Sequence, residues 1–101
     1  NVYCTEVEDA IYTHPAVLEA AVFGIPDEKW GEAVHAVVVP RPSMDVSTDD
    51  LVAHVRELIA GYKVPRSIEL RTEELPKSGP GKVLKRELRA PHWAGHDSEI
   101  V

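Results

Sequence analysis

The sequence predicts an α+β domain: a small three-stranded sheet covered by helices, in the order helix-strand-strand-helix-strand-helix. Three observations carry this. Two apolar runs, Val17 to Ile25 and Ala33 to Val39, are joined by a loop short enough for an antiparallel hairpin. Between Ser47 and Ala60 the apolar residues recur at helical spacing. Ser67 to Arg71 then alternates, with Ile68 and Leu70 to one side, as a short strand does.

The first helix opens at Thr5-Glu6-Val7-Glu8, a hydroxyl followed three residues later by a glutamate, which is a capping-box pattern. It carries Val7, Ala10 and Ile11 on one face and stops before Pro15, because proline disfavours helical backbone at His14. The run from Val17, with Ala20, Ala21, Val22 and Phe23, reads as a buried strand ended by Pro26-Asp27. The second strand is β-branched and bounded by Pro40 and Pro42. In the next helix Ser47 or Thr48 is the cap, and Asp49 and Asp50 favour the N-terminus. Leu51, Val55, Leu58 and Ile59 form its expected buried stripe, and Gly61 suits the residue past its end. Val83 to Arg89 is the final short helix, and Pro91 onward reads as a frayed tail. Residues 1–90 are therefore expected to form the domain and 91–101 a flexible tail.

The 101 residues make one domain, with a modest core. At 44% hydrophobic and 28% charged the chain is globular in composition, and no apolar run is long enough to span a bilayer. The single cysteine, Cys4, excludes an internal disulfide and fits a reducing cytoplasm. A net charge of −6 argues against nucleic acid or an anionic membrane as partner. The acidity is uneven: from Tyr62 to Arg89 the cations outnumber the anions, which points to an anionic small molecule or to a solvated helix face. The chain begins with Asn, and we read it as a piece of a longer protein.

The most informative stretch runs from Leu75 to Arg89. Gly79, Pro80 and Gly81 form a small-residue loop that delivers one lysine, Lys82, just before an amphipathic segment. Such a lysine is a compact cation suited to carboxylate or phosphate oxygens. It is not a P-loop: the required glycine and hydroxyl positions hold Pro76 and Val83. Leu-Pro, a polar and glycine-rich stretch, Gly-Lys, an apolar pair and Arg-x-Leu-Arg resemble instead the last motif of the adenylate-forming enzymes, a superfamily that includes acyl-CoA synthetases. Three further segments agree, in order. Asn1-Val2-Tyr3 with Glu6-Val7-Glu8 looks like the start of the family's small C-terminal domain. Gly24 to Glu32 looks like its hairpin loop, and Tyr62-Lys63-Val64-Pro65 like its Tyr-Lys-x-Pro turn. The resemblance covers residues 1 to about 90.

The resemblance implies the mobile C-terminal domain of an ATP-dependent acyl-CoA synthetase, inactive alone, whose partner is an N-terminal domain of the same enzyme. ATP and Mg2+ would be bound mainly by that absent domain, with CoA as co-substrate. Lys82 would enter the active site and offset the repulsion between carboxylate and α-phosphate, on a loop supported by Gly79 and Gly81. Tyr62 would lie against the nucleotide end of CoA with Arg66 and Lys63, or else pack the end of the preceding helix. Trp30 and Gly31 would line the pantetheine tunnel, or else Trp30 covers the core edge. A carrier protein as acceptor, or a non-catalytic interaction module, stay open alternatives.

Glu6, Glu8 and Glu32 are expected to be structural, as are His35 and His54. No metal site is assigned: His92 and His96 stand four apart, but Gly95 weakens a helix there and no third ligand is apparent.

Overall fold

The computed structural model describes residues 2–29 and 31–95. Its elements are α1 (Val2–Tyr12), β1 (Val17–Asp27), β2 (Gly31–Pro40), α2 (Thr48–Arg56), a 3-10 turn (Gly61–Lys63), β3 (Ser67–Leu70) and α3 (Lys85–Trp93). The expected order holds. The sheet order is β1-β2-β3, with β1 antiparallel to β2 and β2 parallel to β3. A parallel pair needs a long connection, and α2 lies in it.

The sheet is buried on both faces, which is why β1 and β2 read as continuous apolar runs. On one face Ala20, Val22, Ala36 and Val38 pack with Cys4, Val7, Ala10 and Ile11 of α1 and Leu51 and Val55 of α2. On the other, Ala21, Phe23, Val37 and Val39 pack with Leu75 and with Leu88 of α3. A bulge sets the start of β1: Val17 pairs with Pro40 and Glu19 with Val39, so Leu18 is the extra residue and points to solvent. This one-residue insertion flips the parity and places Val17 on the same face as Ala20 and Val22.

Several outward backbone groups of β1 are taken by side chains. The Tyr12 hydroxyl accepts from Ala20 N (2.9 Å) and donates to Ala20 O (3.2 Å). Glu8 accepts from Val22 N (2.7 Å), and Trp93 Nε1 donates to Gly24 O (2.9 Å).

Several element ends differ from expectation. Thr5 lies inside α1, which starts at Val2, so Thr5 is no cap; Glu8 is spent on Val22 instead. β1 does not end before Pro26 but runs through it to Asp27, where an edge strand needs no proline N–H. Ser47 is the cap of α2, its Oγ accepting from Asp50 N at 3.0 Å. That helix stops at Arg56, so the stripe breaks: Leu51 and Val55 are buried, Ile59 is half-buried, and Leu58 is 53% exposed. Gly61 opens the 3-10 turn rather than closing a helix. α3 starts at Lys85 and continues through Pro91 to Trp93, past the expected start of the tail. The rest of that tail, residues 96–101, lies outside the described residues. Among the described residues, no helix is long and apolar enough to cross a membrane.

Candidate functional site

Lys82 stands on a tight hairpin. Lys77 and Val83 form an antiparallel bridge, Ser78 N donates to Lys82 O (2.9 Å), Gly81 N to Ser78 O (2.8 Å) and Leu84 N to Pro76 O (2.9 Å). Gly81 has φ 92°, a left-handed conformation that a side chain would strain, so glycine there lets the loop close on Lys82. Gly79 and Gly81 are both exposed at the tip.

Both ends of this hairpin are pinned to the body of the domain. Before it, Lys77 pairs with Glu19 of β1 and, at 3.5 Å, with Glu74. Glu19 also accepts from Leu75 N at 3.0 Å. After it, Lys85 pairs with Glu8 of α1. Burial pushes the Glu19 carboxyl up, but the Leu75 N–H and the Lys77 ammonium outweigh it and hold it below the usual carboxylate range. The hydrogen bond to Glu19 raises the Lys77 ammonium in turn. Of the four lysines between residues 62 and 89, Lys63, Lys77 and Lys85 are thus held by carboxylates, and Lys82 is held by no described residue. Of the eight cations between Tyr62 and Arg89, four are tethers: Lys63, Arg71, Lys77 and Lys85 each pair with a carboxylate.

Tyr62 and Arg66 come together in a second place. With Tyr3, Cys4, Gly24, Glu32 and Val64 they line an open cleft of about 500 Å³, to which Lys82 does not contribute. Tyr62 is 74% exposed and meets Tyr3 edge-on, ring centroids 5.9 Å apart. Arg66 is exposed, its N–H bonded to Val34 O at 2.9 Å as an extension of the β2–β3 ladder. Lys63 donates to Glu6 at 2.8 Å and lies over both tyrosine rings, 5.2 Å from Tyr3 and 5.6 Å from Tyr62. The Glu6 hydrogen bond raises its ammonium. Gly24 lines the cleft beside the Glu32 carboxyl. Burial pushes the Cys4 thiol up, so it is not an activated nucleophile. Gly31 starts β2, exposed, at φ 81°. Trp30 lies outside the described residues.

The other polar residues sort as follows. Glu6 and Glu8 hold other elements, as expected of structural residues. His54 meets Thr13 Oγ1 at 2.6 Å and stacks edge-on with His14. His35 is buried as expected, but only half satisfied. Its Nδ1 meets Ser67 Oγ at 2.6 Å, whereas Nε2 is buried without a hydrogen-bond partner. Burial, then the neighbouring His92, lowers this imidazole below its ordinary range. Glu69 is held below the usual carboxylate range by the Arg71 hydrogen bond. His92 faces His35, ring centroids 4.8 Å apart, and His96 lies outside the described residues.

Fold and site define a small α+β domain that presents one lysine on a pinned hairpin and an aromatic cleft elsewhere. The family described as the AMP-binding enzyme C-terminal domain matches residues 6–82, and the chain belongs to it. It is 48% identical over 89 residues to a feruloyl-CoA synthase of Amycolatopsis sp, covering 88% of this chain and 18% of that protein. It is 43% identical over 93 residues to a fatty acid–acyl-carrier-protein ligase of Streptomyces coeruleorubidus, covering 92% and 18%. It superposes on the crystal structure of a Brucella canis acyl-CoA synthetase with TM-score 0.82 at 35% identity, covering 91% of this chain and 17% of that one. The chain thus spans less than a fifth of the length of these relatives.

Proposed function

We propose that residues 1 to about 90 are the mobile C-terminal domain of an ATP-dependent acid–CoA ligase, and that Lys82 is its adenylation lysine. The observation that carries this is the contrast among the lysines: Lys77 and Lys85 are tied to Glu19 and Glu8, and between them Lys82 projects unpaired by any described residue. Closure onto an N-terminal domain would bring Lys82 beside ATP and Mg2+, which that domain holds. There a carboxylate oxygen bonds to the α-phosphorus, the bond to pyrophosphate breaks, and acyl-AMP forms. Lys82 offsets the repulsion between the two anions as a placed point charge and does not act as a base. CoA sulfur then bonds to the acyl carbon, the acyl–phosphate C–O bond breaks, AMP leaves with the bonding pair and the thiol proton passes to solvent. For that step Tyr62 offers an exposed ring for the adenine and Arg66 a fork for a phosphate, with Lys63 over the Tyr62 ring, and the family resemblance assigns Trp30 and Gly31 to the pantetheine. A single unpaired cysteine fits a cytoplasmic enzyme.

A second reading has one specific support: the similar Streptomyces coeruleorubidus protein is named for an acyl-carrier-protein acceptor. Thioester formation from acyl-AMP with free CoA, weakened by Tyr62→Ala, favours CoA; turnover only with a phosphopantetheinyl protein favours the carrier.

The test of Lys82 is its Ala variant in the complete enzyme. Pyrophosphate release should fall by about 10²–10³, the size of losing one placed charge-stabilising group. Thioester formation from supplied acyl-AMP should change little. Equal loss in both half-reactions would sink the role.

A further inference from the structure

Away from both the hairpin and the Tyr62 cleft, three elements bring three metal-ligating side chains together on the α3 side of the sheet. They are His35 of β2, Glu69 of β3 and His92 of α3, with one donor atom of each within 4.8 Å of the others. His35 Nε2 is the unusual atom. Its residue is only 5% exposed, the nitrogen has no hydrogen-bond partner, and Glu69 Oε1 stands 3.7 Å away, beyond hydrogen-bond reach. Buried polar atoms are rarely left so.

We propose that this cluster binds a divalent transition-metal ion of the Zn2+ type, through His35 Nε2, a Glu69 oxygen and an imidazole nitrogen of His92. Two imidazoles and a carboxylate are a zinc donor set, whereas Ca2+ and Mg2+ take oxygen ligands. The supporting contacts that metal ligands require are already in place. Ser67 Oγ holds His35 Nδ1 at 2.6 Å; with Nδ1–H donating to it, the lone pair sits on Nε2. Arg71 Nε donates to Glu69 Oε2 at 2.6 Å and leaves Oε1 toward His35. A tetrahedral ion with bonds of about 2.1 Å needs its donors about 3.4 Å apart. The cluster therefore closes inward on binding, chiefly by a swing of His92, which is half-buried in the last turn of α3. The ion would join α3 directly to β2 and β3.

The experiment is a calorimetric titration of the metal-free 101-residue chain with ZnCl2, paired with thermal unfolding. One ion per chain and a raised unfolding temperature are expected. His92→Ala and Glu69→Gln should each weaken binding by at least about tenfold. His54→Ala, which breaks the other histidine pair, with rings 5.0 Å apart, should leave it unchanged. Glu69→Gln is isosteric on a partly exposed side chain, so it tests the site even where His92→Ala loosens α3. Absence of binding, binding that survives both cluster substitutions, or binding lost in His54→Ala overturns the proposal.

Discussion

Glutamates rather than lysines organise this domain. Glu8 and Glu19 each join a backbone N–H to an ammonium, and so fix where the hairpin leaves and re-enters the body. Glu19 should be visible in the pH dependence of stability. Its folded pKa is depressed, so its stabilisation is fully present above the unfolded carboxylate value of about 4.3 and is lost as pH falls through the lower folded value. Urea unfolding of Glu19→Gln against the parent should show the largest deficit near neutrality and a shrinking one below about pH 4.3. A deficit that stays constant down to pH 3 would mean that the carboxylate charge contributes nothing. Glu69 is depressed too, so the Glu19→Gln variant itself retains some acid sensitivity. Lys82, Tyr62 and Arg66 could be singled out in the sequence because each sits in a local motif. Glu19 could not, since its partner Leu75 is 56 residues away. Nor could the His35–Glu69–His92 cluster, whose members lie on separate elements with no spacing to mark them. Thr5 and Glu8 misled for a related reason: a glutamate at a capping-box position can equally bond a distant N–H.

The strands and the first two helices were legible from apolar periodicity, and their ends were not. Periodicity says which residues share a face only while the helix lasts. α2 unwinds after Arg56, so Leu58 leaves the stripe. α3 outlasts Pro91 because tertiary contacts, Leu88 in the core and Trp93 on Gly24 O, outweigh one lost backbone hydrogen bond. Two leucines separate these effects. Leu88→Ala removes a buried anchor and should cost about 2–5 kcal/mol. Leu58→Ala, equal to it on sequence grounds, should stay within about 0.5 kcal/mol. Chemical denaturation of both variants checks the contrast, and similar losses at the two sites would show that the α2 stripe does extend to Leu58.

At the scale of the molecule, the two groups of candidate residues lie apart, Lys82 on the hairpin and Tyr62 with Arg66 in the cleft. If Lys82 is the adenylation lysine as proposed, it stands at an exposed tip with no described residue beside it to hold ATP. The chain alone, given a carboxylic acid and MgATP, should release no pyrophosphate. On the proposed reading, adding the N-terminal domain of such a ligase should give release, and Lys82→Ala should lower it by about 10²–10³. Pyrophosphate release by the chain alone would refute the division of labour.

The side chains that occupy the border of β1 have a consequence for how this piece behaves in company. A long unpaired strand invites a second copy to add on and begin a fibre. Here the Tyr12 hydroxyl already engages both groups of Ala20, Glu8 engages Val22, and Trp93 engages Gly24. The opposite border, β3, is only four residues long. On the proposed reading as a lid, the domain would expose its flanks whenever it swings clear of its partner, and these side chains and the short β3 reduce the template for self-association.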